Sequence, residues 1–258
     1  MGSFALITGA SKGIGRSIAF SLAKRNYNLL LAARSEQALK ELKEELGKYN
    51  VCVEVLVIDL ALPGAALKIK EWVEENSFEV SVLVNNAGYG LWGNFDELDL
   101  SKQMDMIQLN ITTLLELSHY ILPILKRQKR AYILNVSSTA AYQAVPTMAL
   151  YSASKSFVLS FTRALRFELR HSPVSVTCIC PGPVDTGFAE RAGLDALSKM
   201  AQTFNMKPDD VAEIAVKGLL NGESEIIPGF TNFISAFATR LLPKAVIERA
   251  AAAIYKLQ

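Results

Sequence analysis

A tyrosine and a lysine one helical turn apart are the side chains of this sequence best placed to do chemistry. Tyr151 and Lys155 are four residues apart at the start of a segment with an apolar face, so on a helix they project to the same side. A lysine cation beside a tyrosine lowers the phenol's pKa from its free value of about 10. The pair therefore suits proton exchange with a substrate oxygen.

Other polar residues are expected at the same place. Ser137 and Ser138 end one predicted strand, and Asn85-Asn86-Ala87-Gly88 ends another. Asn110 lies within a predicted helix, where asparagine is unfavourable unless its side chain has a polar task. Because parallel sheets bind their ligands at the carboxyl ends of their strands, these side chains are candidates for one site.

A glycine-rich turn follows the first predicted strand and opens the first predicted helix, with the sequence Thr8-Gly9-Ala10-Ser11-Lys12-Gly13-Ile14-Gly15. Glycines there allow a tight turn, close approach to a diphosphate and close helix packing, while the free N–H groups of the helix start face the anion. The spacing is G-x3-G-x-G and lacks the Gly-Lys-Ser/Thr of a P-loop. The turn predicts a dinucleotide site, although a purely structural turn is the alternative.

The end of the second predicted strand indicates which dinucleotide. An acidic residue at that position suits the ribose hydroxyls of NAD, whereas a basic one suits a 2′-phosphate. Here the strand ends in Arg34, and Lys12 comes from the glycine turn, so NADP(H) is preferred over NAD(H). Glu36 nearby keeps NAD(H) possible, and both cations could instead be solvated surface charges.

Short apolar runs alternate with helical patterns along the whole chain. Strands are predicted at Phe4–Thr8, Asn28–Ala32, Val51–Ile58, Val80–Asn85, Ala131–Ser137, Val174–Cys180 and Glu225–Ile227. Helices are predicted at Gly15–Arg25, Ser35–Lys48, Gly64–Asn76, Ser101–Gln128, Tyr151–Arg170 and Asp209–Asn221. This alternation predicts an α/β fold of the doubly wound Rossmann type, with a seven-stranded, mostly parallel sheet covered by helices on both faces.

The absence of a linker or repeat predicts a single dinucleotide-binding catalytic domain over residues 1–258. Two regions depart from the rhythm: a substrate lid at about 186–207 and a helical extension at about 230–258. The extension carries an apolar stripe from Phe230 to Leu242 that we expect to be buried. Packing over the lid and an oligomer contact are the leading explanations, followed by a membrane-surface helix, for which Arg240 and Lys244 supply little charge.

Composition limits the classes of partner. The 258 residues have 27 Lys+Arg, 25 Asp+Glu and 50% hydrophobic residues, so no general field attracts nucleic acid. The cysteines Cys52, Cys178 and Cys180 lie in apolar runs and are predicted to be buried free thiols of a reduced compartment, with no metal site. No uncharged stretch is long enough for a membrane span, and the first strand begins at once, so we expect a cytoplasmic protein.

Together these motifs resemble the short-chain dehydrogenase/reductase family, specifically an NADP-preferring carbonyl reductase-like member. The matching features occur in the family's order over nearly the whole chain: the turn from Thr8 to Gly15, Asn85 to Gly88, Asn110, Ser138, Tyr151-x3-Lys155 and Pro181-Gly182. Ser138 and Tyr151 are 13 residues apart, an interval typical of that family.

The resemblance implies a role for each residue. Tyr151 would be the proton donor, Ser138 would bind the substrate oxygen, Lys155 would lower the tyrosine pKa and hold the nicotinamide ribose, and Asn110 would hold a relay water. The family spacing, not the chemistry, selects Ser138 over Ser137. The cofactor-binding set is Gly9, Ser11, Lys12, Gly13, Ile14, Gly15, Arg34, Asp59, Asn86, Ala87, Gly88, Tyr151, Lys155, Pro181, Gly182, Val184 and Thr186.

The resulting hypothesis is an NADPH-dependent reductase of a ketone or aldehyde, either 3-oxoacyl, steroid-like or another hydrophobic carbonyl compound. The alternative is a non-catalytic NADP(H)-sensing protein, which should have lost Tyr151, Lys155 or Ser138; all three are present. The resemblance also implies a homodimer or homotetramer joined through the helices predicted at Ser101–Gln128 and Tyr151–Arg170.

Overall fold

A single parallel sheet organises the molecule. The computed structural model describes residues 2–188, 192 and 206–254. Its strands are β1 Phe4–Thr8, β2 Asn28–Ala33, β3 Val53–Val57, β4 Val80–Asn85, β5 Ala131–Val136, β6 Val174–Ile179 and β7 Glu225–Ile226. They pair in the order β3-β2-β1-β4-β5-β6-β7, every pairing is parallel, and the predicted doubly wound α/β fold is confirmed.

Helices cover both faces of this sheet. They are α1 Gly13–Ala23, α2 Glu36–Leu46, α3 Ala65–Glu75, α4 Leu100–Ile107, α5 Thr113–Lys126, α6 Ala149–Glu168, α7 Pro208–Asn221, α8 Phe230–Ala238 and α9 Lys244–Ile254. Residues of α1, α2 and α7 pack into one apolar core with alternate strand residues such as Ala5 and Ile7. Residues of α3 and α5 pack with Phe4 and Leu6 into the other. Strands buried on both faces explain the continuous apolar runs of the sequence.

Several predicted boundaries were wrong. The predicted helix Ser101–Gln128 is divided into α4 and α5 by a π-helical turn at Gln108–Thr112, which contains Asn110. Such turns are rare and occur frequently at functional sites. The remaining strand and helix ends differ by one or two residues in most cases, because frayed ends carry little hydrophobic signal.

One cysteine prediction was also wrong. Cys178 and Cys180 are buried in or beside β6, but Cys52 is exposed, because it precedes the first residue of β3. The described residues contain no group of three metal-ligating side chains, and none of the described helices is both long and apolar enough to cross a bilayer.

The tail shows the largest departure from the sequence prediction. The apolar stripe from Phe230 to Leu242 is not buried: among α8 residues, Ala236 alone is fully buried. The physical reason is close backbone approach, because a Cβ on Gly182 would stand 2.4 Å from Asn232 Oδ1. Only small or polar residues fit on that inner side, so the bulky ones face outward. Of the predicted lid, residues 189–191 and 193–205 lie outside the described part of the chain.

Candidate active site

The glycine turn forms one end of a cleft of about 820 Å³ at the carboxyl edge of the sheet. Gly9 has a φ of 64°, and a Cβ there would approach Ala87 Cα to 2.9 Å. Its backbone conformation and the close approach of β4 therefore both require glycine. Asn86 stabilises the contact between the glycine turn and the end of β4, because its Nδ2 donates to the carbonyl oxygens of Thr8 at 2.9 Å and Gly9 at 3.2 Å.

Lys12 of the glycine turn and Arg34, which follows β2, both line the cleft. Arg34, at the end of β2, is exposed and lies 3.5 Å from Asp59 Oδ2. Asp59 also accepts a hydrogen bond from the backbone N–H of Ala61 at 3.0 Å, the turn-capping arrangement. Lys12 is the N-cap residue of α1, and all three side chains line the cleft. Glu36, in contrast, is paired with Lys40 at 2.6 Å in the first turn of α2.

Lys155 is a buried cation at the centre of the cleft. Its Nζ donates to the backbone carbonyl of Val136 at 3.0 Å, and the residue is 6% exposed. Burial lowers the pKa of Lys155 to about 8, while the nearby Cys178 and Cys180 oppose that shift. Nζ stands 5.8 Å from the centre of the Tyr151 ring, so the cation and the phenol share one environment.

The two neighbouring serines have different surroundings. The hydroxyl of Ser137 is buried and donates to the backbone carbonyl of Lys155 at 2.7 Å. Both serines line the cleft, but the hydroxyl of Ser138 accepts a hydrogen bond, from the backbone N–H of Ala140 at 3.1 Å. An accepting hydroxyl keeps its own hydrogen for another acceptor. Ser138 is therefore the serine able to reach a ligand.

Asn110 joins the π-helical turn to the cleft. Its amide binds both backbone groups of Tyr89, with Nδ2 donating to the carbonyl at 3.0 Å and Oδ1 accepting from the N–H at 3.2 Å. Nδ2 also donates to Ser154 Oγ at 3.1 Å. A Cβ on Gly88 would stand 3.0 Å from Asn110 Oδ1 and 3.4 Å from Lys155 Nζ. Glycine at 88 thus leaves space between the amide and the ammonium.

An apolar cluster adjoins Tyr151. The centre of the Tyr151 ring is 5.4 Å from that of the Phe188 ring, and Met106, Val145 and Met148 are buried members of the same cluster. A Cβ on Gly90 would come within 2.8 Å of Phe188 Cζ and 3.2 Å of both Met148 Cε and Tyr151 Cδ2. Gly90 therefore sets how much space remains beside the Tyr151 ring.

One carboxylate ties the surrounding elements together. Glu225 accepts a hydrogen bond from the Tyr142 hydroxyl at 2.8 Å and from Arg163 Nε at 2.8 Å, and lies 3.5 Å from Arg240. Burial raises the pKa of Tyr142, with Cys180 and Glu225 acting in the same direction, so this phenol remains a donor. The turn after Ser138, helix α6 and the tail thus meet at β7.

Most of the site predicted from the sequence is brought together. Sixteen of the seventeen predicted cofactor residues line the cleft, Tyr151 and Lys155 among them, and Gly15 is the exception. Ser138 also lines it. Gly15 lies beneath Asn86, where a Cβ would stand 2.4 Å from Nδ2, and Asn110 lies behind Gly88. Sequence reasoning missed Ser154, Asn232 and the Glu225 cluster, because a polar residue within a helix or strand does not identify a distant partner.

Similar proteins agree with this geometry. Residues 3–197 match the family described as short chain dehydrogenase. The chain is 35% identical over 222 residues to sulfoacetaldehyde reductase 2 of Chromohalobacter salexigens, covering 83% of this chain and 87% of that protein. A solved structure concerning 7β-hydroxysteroid dehydrogenase stereoselectivity has a TM-score of 0.88 at 25% identity over 97% of each chain. A short-chain dehydrogenase from Sphingobium yanoikuyae in complex with NADPH has a TM-score of 0.82 at 28% identity, covering 99% of this chain and 96% of that one.

Proposed function

Because the chain belongs to the short-chain dehydrogenase/reductase family of NAD(P)-dependent oxidoreductases, we propose that it reduces a hydrophobic ketone or aldehyde to an alcohol with NADPH. One observation carries the proposal: Ser138, Tyr151 and Lys155 line the same cleft as the glycine turn. A pair suited to proton exchange in the same cavity as a turn suited to a dinucleotide supports this reaction. A non-catalytic nucleotide sensor has no need of such a pair.

The residues present fit a nicotinamide dinucleotide. The turn at Gly9 and Gly13 leaves room that any Cβ would fill, since one on Gly13 would stand 2.9 Å from Thr186 Cβ. The helix start and Lys12 suit the diphosphate, and Arg34 suits a 2′-phosphate. The NADPH complex of the Sphingobium relative supports the choice of NADPH, and NADH remains the second candidate. When bound, the nucleotide supplies the hydride.

The protein's own residues then control the oxygen and its proton. The Ser138 hydroxyl donates to the substrate carbonyl oxygen and fixes it beside Tyr151. The Lys155 ammonium lowers the pKa of the Tyr151 phenol, which gives its proton to that oxygen as negative charge develops there. The Tyr151 phenolate left behind recovers a proton by way of Lys155, and Asn110 and the space at Gly88 hold a water that links Lys155 to solvent and replaces that proton. Burial of Lys155 strengthens its electrostatic effect on the phenol.

The pocket beside Tyr151 indicates the substrate class. Beside Tyr151 the cleft is lined by Val145, Met148 and Phe188, and the flexible Met148 adapts to irregular shapes. An apolar or elongated carbonyl compound therefore fits better than a free sugar or amino acid. Acyl thioesters, steroids and other ketones all belong to this class.

A substrate panel tests the proposal. NADPH absorbance is followed with acyl thioesters, steroids, aldehydes, diketones and sugars, for the wild type and for Tyr151→Phe. We expect turnover with hydrophobic carbonyls and a loss of at least about 100-fold in the variant, the usual size of a proton-transfer contribution. Carbonyl reduction that survives within a few-fold in Tyr151→Phe would contradict the mechanism.

We also propose a homodimer or homotetramer joined through α4, α5 and α6. These helices expose large apolar side chains, namely Leu100, Met104, Leu115 and Phe167. Exposed apolar residues concentrated on long helices suit a subunit contact. A monomeric mass by light scattering at micromolar concentration would contradict this assembly.

A further inference from the structure

Helix α8, the turn after it and the first turn of α9 present bulky apolar side chains to water. We call these residues the tail surface: Phe230, Phe233, Ile234, Phe237, Leu241, Leu242 and Val246. Each is between 50% and 77% exposed. A helix on the surface of a soluble domain normally shows its polar face to water and its apolar face to the core. Helix α8 instead exposes its bulky apolar residues together with Thr231 and Ser235.

The inward side of α8 fixes this orientation. Asn232 and Ala236, one turn apart, face the protein, and Asn232 Nδ2 donates to the carbonyl of Pro228 at 2.8 Å. Gly182 approaches Asn232 so closely that even a Cβ on the glycine would collide with it. Rotating α8 would bring phenylalanines into that contact, so the tail surface cannot turn inward. Ile247 and Ala251 are the buried residues of α9 and hold that helix against the protein.

The sequence of the tail carries an excess of positive charge. Residues 230–258 contain Arg240, Lys244, Arg249 and Lys256 but only one acidic residue, Glu248, whereas the whole chain has an excess of just two basic residues. Lys244 and Arg249 are exposed on α9, two residues after Leu242 and three residues after Val246 respectively. Basic side chains next to projecting phenylalanines match the chemistry of an anionic lipid interface.

We propose that the tail surface docks on an anionic lipid bilayer, with α8 lying in the plane of the interface. The described helices include none long and apolar enough to cross the membrane, so the contact is peripheral. A second copy of the chain is a poorer occupant, because charged residues are depleted from the centre of protein interfaces. Here the exposed Lys244 lies in the sequence between Leu242 and Val246, two residues of the tail surface.

Docking also bears on the substrate, a step that rests on the proposed function. Asn232 of α8 backs Gly182, and Gly182 lines the cleft. A bilayer bound at the tail surface therefore lies close to the cleft wall. Hydrophobic carbonyl compounds partition into lipid, so docking supplies substrate from the bilayer.

Vesicle flotation of the full-length protein tests the docking itself. The probes are phosphatidylcholine vesicles and phosphatidylcholine vesicles containing phosphatidylglycerol. We expect binding to the anionic vesicles, and a loss of at least about tenfold in the partition coefficient for the double variant Phe233→Ser/Phe237→Ser, because two large apolar side chains leave the lipid. Phe95→Ser/Leu67→Ser is the matched control, since both residues are exposed apolar side chains outside the tail.

Several outcomes would overturn the proposal. These are no wild-type binding, equal binding of the wild type and the Phe233/Phe237 variant, or equal loss in the Phe95/Leu67 control. A fall in oligomeric mass of the tail variant by light scattering, without vesicle binding by the wild type, assigns the surface to a second copy instead. NADPH turnover of a short, water-soluble aldehyde is measured in parallel and should be unchanged by the tail variant. Failure of docking and failure of the proposed function are thereby distinguished.

Discussion

The hydroxyl of Ser137 donates to the backbone carbonyl of Lys155 at 2.7 Å, and so joins the end of β5 to the second turn of α6. Its neighbour Ser138 has no such task and faces the cleft. Two adjacent residues of the same type thus do different work: one holds the helix that carries Tyr151 and Lys155, and the other meets the ligand.

Single substitutions separate the two serines. Ser138→Ala should lower kcat/KM by about 100- to 1,000-fold, the effect of removing one donor to a developing oxyanion. It should leave the melting temperature nearly unchanged. Ser137→Ala should instead lower the free energy of unfolding by about 0.5–1.5 kcal/mol, because it removes a buried hydrogen bond between the end of β5 and α6. Steady-state kinetics and urea unfolding of both variants check this, and the reverse pattern would exchange their roles.

Burial of Lys155 predicts a pH-dependent stability. Its pKa falls from 10.5 to about 8 in the folded protein, so between those pH values the unfolded chain binds the additional proton. The free energy of unfolding contributed by Lys155 therefore rises with pH across this window, by up to about 3 kcal/mol.

Lys155→Met removes this contribution. The difference in free energy of unfolding between the wild type and Lys155→Met, measured in urea from pH 7 to pH 10.5, should grow in favour of the wild type as pH rises through this window. Lys68→Met, a change of an exposed lysine on α3, is the matched control and should run parallel to the wild type. If the free energies of unfolding of Lys155→Met and the wild type changed in parallel with pH, burial would not lower the pKa of Lys155.

Arg34 should control nucleotide choice. Arg34→Asp places a second carboxylate beside Asp59, which lies 3.5 Å from the guanidinium, and removes the charge-assisted contact to a 2′-phosphate. We expect the KM for NADPH to rise about 10- to 100-fold, with a much smaller change for NADH. Lys40→Ala, which removes an exposed cation of α2, serves as the control. An unchanged preference for NADPH in Arg34→Asp would contradict the assignment.

Gly90 should govern substrate size. Gly90→Ala introduces a Cβ within 2.8 Å of Phe188 Cζ and 3.2 Å of Tyr151 Cδ2, so the space between these two rings narrows. We expect kcat/KM for a bulky ketone to fall about tenfold more than for a small aldehyde, in line with the value of one methyl group in a pocket. Equal losses for both substrates would indicate a general disturbance. Gly64→Ala cannot serve as a control. A Cβ at Gly64 would meet no atom within 4 Å, but the φ of 78° strains any residue that has a side chain.

The sequence predicted the parts of the structure that depend on regular spacing. Parallel strands buried on both faces appear as apolar runs, and Tyr151 and Lys155 share a helix side because the period of a helix is fixed. The glycine turn was recognisable because the φ of Gly9 and its approach to Ala87 leave no choice of residue. These features are local, and so they can be recognised without knowing the fold.

Contacts between distant segments could not be predicted in this way. The stripe from Phe230 to Leu242 was expected to be buried because large apolar residues usually are. Its outward orientation depends on the contact between Asn232 and Gly182, two residues about 50 positions apart in the chain. The π-helical turn at Asn110 and the partners of Glu225 likewise depend on packing between segments. A polar residue reveals that it needs a partner, but not which one.

The shortness of β7 has a consequence for solubility. This outermost strand pairs through only Glu225 and Ile226, and an exposed strand edge is a template on which another chain can add. A two-residue strand offers an incoming chain few free backbone groups, and short edge strands are one way in which proteins disfavour edge-to-edge aggregation.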